Sequence, residues 1–294
     1  MAAALRKILT FGSMLLPYGV HELRRRHKQR SQISESVLQA LHANRELAGR
    51  HKGQRCFILG NGPSAKAQDL TVLAGETVIS VSNGYLHADF QRFVPKYHVV
   101  PQITFGTMTE DQVERWFVEM HENLGEAELF LNETEAGIVA ERKLFAGRKV
   151  HYVALRTNFD DISDTSIIDI GKPIPRVDSV PVLALMIAMH MGFKDIALLG
   201  VDHDSWRTGY YQYAFDLKVQ AGMDFSVTSD GKILSPNYDT FQSLARLWRQ
   251  YRRLRMIAVA NGVRIINAGI GGELDEFERI PLDLLLSQDK VRQI

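Results

Sequence analysis

Short apolar runs that stop at glycine or polar residues alternate along this chain with segments of helical spacing. Such runs, four to six residues long, are typical of strands buried inside a parallel sheet, and a 3.6-residue period is typical of helices. The predicted strands are 55–60, 77–82, 96–100, 127–131, 149–155, 196–200 and 263–267. The predicted helices are 32–50, 109–121, 180–191 and 240–260, and the polar stretch 156–178 is predicted to be a long loop.

Repeated alternation of strand and helix predicts an α/β fold. We expect a Rossmann-like, doubly wound, mostly parallel sheet with helices on both faces. In such sheets, ligands bind beyond the carboxyl ends of the strands. The predicted strands end at four polar clusters, which are Asn61-Gly62, Asn83-Gly84, Asp202-His203-Asp204 and Asn267. The pattern therefore predicts that these clusters gather around one ligand at one edge of the sheet.

The turn after the first predicted strand reads Gly60-Asn61-Gly62-Pro63-Ser64. Glycine lets the backbone approach a ligand closely, and proline is favoured at the first position of a helix. The free N–H groups of a helix start attract phosphate, so this turn predicts a nucleotide or phosphorylated ligand. The alternative is a strand-to-loop turn without a ligand. This turn matches neither the full dinucleotide fingerprint nor a Walker A loop.

A second helix start lies at Asp178-Ser179, before the continuous apolar stretch VPVLALMIAMHMG. A helix that is apolar all round is buried. Ser179 offers a hydroxyl and helix N–H groups to a phosphate, whereas the carboxylate of Asp178 would repel one and is expected to cap the helix.

The densest polar cluster is Asp202-His203-Asp204, directly after a predicted buried strand. A histidine exchanges protons near neutral pH, and a neighbouring carboxylate would orient it or raise its basicity. The two carboxylates are also candidate ligands for a divalent metal on a diphosphate. The phenols that follow can either hydrogen-bond a leaving phosphate or simply pack, and they are Tyr210, Tyr211 and Tyr213.

Composition narrows the function classes. The chain has 294 residues, 45% of them hydrophobic, and a net charge of +1, so no global charge favours nucleic acid. The single cysteine, Cys56, cannot form an intrachain disulfide, which fits a reducing compartment. The predicted helix at 240–260 carries five arginines. Three alternatives are open for them: they bind an anionic substrate, they contact a membrane surface, or they are only solvated.

The N-terminus separates apolar from basic residues. The apolar run 8–20 is too short to span a bilayer and leads into the basic stretch HELRRRHKQR at 21–30. This arrangement suits an interfacial anchor on an anionic leaflet, and the alternative is a helix packed on the protein's own core. We therefore predict a membrane-proximal segment at 1–50, a domain at 51–294 that binds a nucleotide or phosphorylated ligand, and a cytoplasmic protein peripheral to the inner face of the cell membrane.

Three segments together resemble a known family. They are FILGNGPSAK at 57–66, VISVSNGY at 78–85, and SVPVLALMIAMHMGFKDIALLGVDHD at 179–204 continuing to YAFD at 213–216. Over residues 55–270 the chain resembles the bacterial sialyltransferases that use CMP-sialic acid. It also resembles the related MptE-like superfamily, which includes the archaeal 6-hydroxymethylpterin diphosphokinase and many surface-polysaccharide proteins.

The resemblance implies roles for particular residues. Its nucleotide-binding positions correspond to Gly60, Asn61, Gly62, Pro63, Ser64, Asn83, Ser179 and Gly200. Asp202 closes the family's strand-end motif, and Tyr213 matches a tyrosine that binds the departing phosphate. The family's general base is a histidine before the last long helix, but the corresponding stretch 233–240 has none. Either the base has moved, with His203 and Asp239 as candidates, or the reaction differs.

The resemblance implies a glycosyltransferase that moves a sugar, with a CMP-activated ulosonic acid as the favoured donor, onto a polysaccharide or lipid-linked acceptor. The expected catalytic residues are Asp202, His203, Asp204 and Tyr213, with no tightly bound cofactor. One alternative is a diphosphokinase that uses Mg²⁺ held by Asp202 and Asp204. Another is a nucleotide-binding assembly protein without catalytic activity.

Overall fold

A parallel sheet forms the centre of the computed structural model, which describes residues 35–100, 102–103, 108–216 and 231–292. Within these ranges the strands are β1 (Arg55–Leu59), β2 (Val78–Val81), β3 (Tyr97–Val99), β4 (Glu128–Asn132), β5 (Val150–Val153), β6 (Leu155–Thr157), β7 (Ile174–Pro175), β8 (Asp195–Leu199), β9 (Arg264–Asn267) and β10 (Glu278–Arg279). Eight of these described strands form one sheet in the order β10-β9-β8-β1-β2-β3-β4-β5, and β6 pairs with β7. Every pairing between these strands is parallel.

The described helices are α1 (Glu35–Ala43), α2 (Phe90–Phe93), α3 (Glu110–Asn123), α4 (Ala136–Glu141), α5 (Val180–His190), α6 (Ser205–Thr208), α7 (Asn237–Ala260) and α8 (Leu282–Arg292). A capping box of Thr109 and Gln112 fixes the start of α3. The helix α5 is buried on nearly every side, as its continuous apolar sequence predicts.

Core residues lie on both faces of the sheet. Alternate side chains of β1 point to opposite faces, so Cys56 and Ile58 pack with α5 and α7, while Phe57 and Leu59 pack with α3 on the other side. Both faces are therefore covered by helices, and the predicted doubly wound α/β fold is confirmed.

Strand order places a ligand crevice beside β1. The chain adds β2 to β5 on one side of β1 and β8 to β10 on the other. Loops that leave β1 and β8 diverge at such a switch point, and the gap between them is where doubly wound sheets bind ligands.

One local prediction was wrong and another was confirmed. The stretch 156–178 is not all loop, because β7 pairs with β6 and the N–H of Ile174 bonds the carbonyl of Ala154 at 2.9 Å. The turn after β1 does start a helix at Pro63, which is the short 3₁₀ helix Pro63–Ala67.

The chain divides by its internal contacts into residues 1–40 and 41–294. The segment predicted to touch a membrane, 8–30, lies outside the described residues. Among the described helices, none has the length and apolarity needed to span a bilayer. The domain boundary at residue 50 stays a prediction.

Candidate active site

A cavity of about 260 Å³ opens at the carboxyl ends of β1, β2 and β8, which is the switch point of the sheet. Five separate parts of the chain border it: the segments after these three strands, the start of α5, and α7 through Leu244 and Leu247. The polar lining residues are Asn61, Ser82, Asp178, Ser179, Asp202, His203, Asp204, Ser205, Tyr211 and Gln212. Residues that are distant in sequence therefore meet at one edge of the sheet.

Asp202 ties the loop after β8 to the loop after β1. Its two carboxylate oxygens accept hydrogen bonds from the Ser64 N–H at 2.7 Å and from the Ser64 hydroxyl at 2.5 Å. Asp202 is buried, and desolvation raises its pKa although the Ser64 hydrogen bonds act in the opposite direction. The N–H of Ser64, which we expected to receive a phosphate, is thus already bonded to the protein's own carboxylate.

The glycines of this turn serve the contact between the two loops. The N–H of Gly62 bonds the carbonyl oxygen of Gly200 at 2.7 Å. A Cβ at position 62 would lie 2.6 Å from Oδ2 of Asp202 and 2.7 Å from the Gly200 carbonyl oxygen. Since real Cβ contacts are not this short, the two loops can approach only because residue 62 has no side chain.

His203 borders the cavity as a neutral, half-buried imidazole. Its Nε2 lies 2.8 Å from the hydroxyl of the buried Tyr251, and its ring meets Trp248 edge to face. Burial lowers the pKa of His203 to about 4. The expectation that a neighbouring carboxylate raises the basicity of this histidine was wrong, because the cost of charging the ring in a desolvated position outweighs any attraction.

The low pKa of His203 predicts an acid-dependent loss of stability. The unfolded chain protonates this residue below about pH 6.5, whereas the folded protein does so only near pH 4. Between these values the unfolded state binds more protons, so the free energy of unfolding should fall by up to about 1.4 kcal/mol per pH unit as pH decreases. Urea unfolding at pH 7, 6 and 5 should show a shallower decline in His203→Asn than in the unsubstituted protein. Equal slopes would contradict this prediction.

Ser82 reaches the cavity through a strained backbone. Its φ is +49°, a left-handed conformation that serine seldom adopts. His98 holds it: burial lowers the pKa of His98 to about 3, so the ring is neutral. Its Nε2 donates to the Ser82 carbonyl at 2.9 Å, and its Nδ1 accepts from the Ser80 hydroxyl at 2.8 Å. His203, at φ +51°, is likewise strained, and strained residues of this kind cluster at functional sites.

The start of α5 borders the cavity with Ser179, Val180 and Pro181, of which only Ser179 and Val180 carry a backbone N–H. Ser179 is its N-cap residue, and its side chain makes no capping hydrogen bond. The expectation that Asp178 caps this helix was wrong. Asp178 instead accepts a hydrogen bond from Gln250 Nε2 at 2.7 Å, and its own N–H donates to Gln250 Oε1 at 2.9 Å. Helix α7 thereby holds Asp178 at the cavity rim.

Some of the remaining predicted residues line the cavity and others do not. Asn61 lines the cavity, and its buried Oδ1 makes no hydrogen bond with the described part of the chain. Asn83 does not line it, since its Oδ1 accepts from Trp116 Nε1 at 2.7 Å. Tyr213 stacks on Phe215 and meets the ring of Tyr211 at a tilt, and the phenol that borders the cavity is Tyr211. Of the two candidate bases, His203 lies at the cavity and Asp239 is exposed on α7 without lining it.

Sequence reasoning did not identify Ser82 or Tyr251 as parts of this site. A left-handed serine leaves no mark in the sequence, and the tyrosine lies 48 positions from the histidine it contacts. Within the described ranges, no group of three or more histidine, cysteine, aspartate or glutamate side chains is arranged to hold a metal ion.

Comparison with known proteins found similar solved structures but no similar sequence. No family model matches the chain, and no curated protein matches its sequence. Among solved structures, it is similar to the sialyltransferase CstII in complex with a trisaccharide acceptor and CMP, with a TM-score of 0.47 and 17% identity over 79% of this chain and 87% of that one. A tyrosine-to-phenylalanine variant of CstII with CMP gives a TM-score of 0.45 and 16% identity, over 79% of this chain and 87% of that one. Likeness of this degree fixes neither substrate nor activity.

Proposed function

We propose that this protein is a glycosyltransferase that binds a nucleotide-activated sugar in the cavity between β1 and β8. The observation that supports this most is the meeting of five separate chain segments around one cavity at the switch point of a doubly wound sheet. Ligand sites of this fold class lie at that position. The motifs at 57–66, 78–85 and 179–204 resemble sialyltransferase motifs. They supply four of these five segments, because 179–204 contains both the start of α5 and the loop after β8.

The charges at the cavity favour a monophosphate donor. Among the described residues that line it, three are aspartates and none is lysine or arginine. A nucleoside diphosphate would bring two negative phosphates next to these carboxylates without a compensating cation. A CMP-linked ulosonic acid also carries two negative charges, but one is the sugar carboxylate and only one is a phosphate. The N–H groups of Ser179 and Val180 at the start of α5 would stabilise that phosphodiester. Carboxylates such as Asp204 would accept hydrogen bonds from the many hydroxyls of the ribose and the sugar.

The proposed reaction breaks the bond between the donor's anomeric carbon and the phosphate oxygen. An acceptor hydroxyl oxygen forms a new bond to that carbon, and CMP leaves with the electron pair of the broken bond. The hydroxyl proton passes to His203, which is neutral at pH 7 and therefore able to accept it. Its low pKa makes it a weak base, which suffices if the hydroxyl becomes acidic as the new bond forms. Tyr251 acts as a positioning residue that orients the ring.

Magnesium fits this site poorly. Of the two carboxylates proposed as its ligands, Asp202 already uses both oxygens to accept hydrogen bonds from Ser64. Asp204 alone is a weak anchor for an ion that prefers octahedral geometry. We therefore derive no step through a metal ion, and no observation favours the diphosphokinase alternative.

The proposed acceptor of the sugar is a glycan or a lipid-linked molecule, and the proposed place of reaction is the inner surface of the membrane. The basic and apolar N-terminal segment supports that location by its sequence.

A thermal-shift series with CMP, CDP, UDP, GDP and ATP, each with and without Mg²⁺, tests the donor. CMP should stabilise the folded state most, by about 2.7 kcal/mol at a concentration of 100 times its Kd. Asn61→Ala should weaken CMP binding about tenfold. The substitution removes the amide oxygen Oδ1, which has no hydrogen-bond donor among the described residues and would accept a hydrogen bond from CMP. The matched control is Asn123→Ala on α3, which does not line the cavity. Stabilisation by ATP with Mg²⁺ and not by CMP would contradict the proposal and support the diphosphokinase.

A further inference from the structure

A second cavity, of about 240 Å³, adjoins the first and shares Asp178 with it. It lies between α7, the turn at 158–160 and the segment that leads into α5. Its charged lining residues are Asp160, Arg176, Asp178, Arg246 and Arg249. Its volume equals that of about eight water molecules, which is enough for one sugar ring or a charged group with its immediate substituents.

The arginines of α7 divide into two groups when their ion pairs are compared. Arg252 and Arg255 both bond Glu276, and Arg253 bonds Asp164. Arg249 makes no ion pair or side-chain hydrogen bond with any described residue, and it is the one that lines the second cavity along with Arg246. The arginines of α7 away from the cavity are therefore each paired with a carboxylate, and Arg249 at the cavity is paired with none among the described residues.

Arg176 faces the same cavity from the other side. Its backbone is fixed, because its N–H bonds the Thr157 carbonyl at 3.0 Å and its own carbonyl accepts from Gln250. Its guanidinium group has no ion pair or hydrogen bond with any part of the described chain. Two guanidinium groups without a carboxylate partner therefore border one small concave space.

The carboxylates of this cavity do not cancel the arginines. Asp178 is held by Gln250 at 2.7 Å and lies 3.7 Å from Nε of Arg246, so these two groups largely satisfy each other. Asp160 is exposed and makes no ion pair with a described residue. Three guanidinium groups against two carboxylates leave the cavity with a net charge of +1.

We propose that this second cavity binds the anionic group of the acceptor sugar, a carboxylate or a phosphate ester, and so selects an acidic acceptor. The inference rests on the proposed glycosyl transfer, since it makes the adjoining cavity the donor site. A guanidinium group is always charged, and its planar array of N–H donors matches the oxygens of carboxylate and phosphate. The shared wall at Asp178 would place an acceptor held here beside the donor.

Isothermal titration with three probes tests the assignment: glucuronate as a sugar acid, glucose 1-phosphate as a sugar phosphate, and glucose as a neutral sugar. Either anionic probe should bind at least tenfold more tightly than glucose, and the tighter of the two identifies the type of acceptor. Arg249→Gln and Arg176→Gln should each weaken the anionic probe about tenfold. The matched control, Arg252→Gln, should bind as the unsubstituted protein does, because Arg252 pairs with Glu276 away from the cavity.

The outcomes distinguish failure of the acceptor site from failure of the proposed glycosyltransferase function. Equal binding of the anionic probes and glucose, or undiminished anion binding in both cavity variants, would overturn the acceptor site. Circular dichroism and the melting temperature of each variant show whether it is folded; exposed arginines without partners should be replaceable with little loss of stability. CMP titration of the same samples tests the donor site independently. If CMP does not bind while the anionic probe binds through Arg249, the proposed function fails and the anion site stands.

Discussion

Gly60→Ala is expected to destabilise the protein by about 3 kcal/mol, which is at the upper end for overpacking. A Cβ at this buried position would press into the Gly200 carbonyl oxygen and would lie 3.0 Å from both the Gly200 carbonyl carbon and Cγ2 of Val201. These are mainly backbone atoms, and the N–H of Gly60 is bonded to the Leu199 carbonyl at 2.8 Å, so neither strand end can move away cheaply. In a chain of this size the melting temperature should fall by roughly 5 °C.

Gly137→Ala is the matched control for this substitution. Gly137 lies in α4, where a Cβ would meet no atom within 4 Å, and alanine is a better helix former than glycine. We expect its melting temperature to stay the same or to rise. If Gly60→Ala melted at the same temperature as Gly137→Ala, the close contact between the ends of β1 and β8 would not exist as described.

His203→Asn should lower kcat for breakdown of CMP-N-acetylneuraminate at least 100-fold while it changes the Kd for CMP less than threefold. Loss of a general base costs about two to four orders of magnitude in rate. Asparagine is chosen because it tolerates the left-handed backbone that His203 adopts at φ +51°, so the loop should keep its course. Stopped assays of CMP release, with CMP binding measured by calorimetry on the same preparation, separate the two effects.

Two further variants serve as comparisons for His203→Asn. Tyr251→Phe removes the hydroxyl that bonds Nε2 of His203, and we expect about a tenfold loss in kcat with an unchanged KM, as befits a positioning residue. His42→Ala alters an exposed histidine that does not line the cavity and should retain full activity. Unchanged turnover in His203→Asn would remove this residue as the base.

Sequence reasoning performed best where a local pattern has one physical outcome. The apolar run at 196–200 has to be buried on both sides, and the structure places it as β8 between β1 and β9. It performed worst where a residue has several candidate partners. Asn83 follows a strand, as a ligand-binding asparagine would, yet Trp116 on α3 takes its side chain. Ser64 begins a helical turn, as a phosphate-binding serine would, yet Asp202 from another strand end occupies its N–H.

The sequence by itself determined the fold class, the order of seven strands and of the helices α1, α3, α5 and α7, and two of the four polar strand ends as borders of the cavity, Asn61-Gly62 and Asp202-His203-Asp204. Apolar periodicity and turn residues act over a few positions, so they can be read along the chain. Tertiary structure alone decided that His203 is neutral, that Asp202 binds Ser64, and that Arg249 lacks a carboxylate partner among the described residues when its neighbours on α7 have one. Burial, pKa and ion pairing depend on groups brought together from distant parts of the chain, and the spacing of residues along the chain does not record those distances.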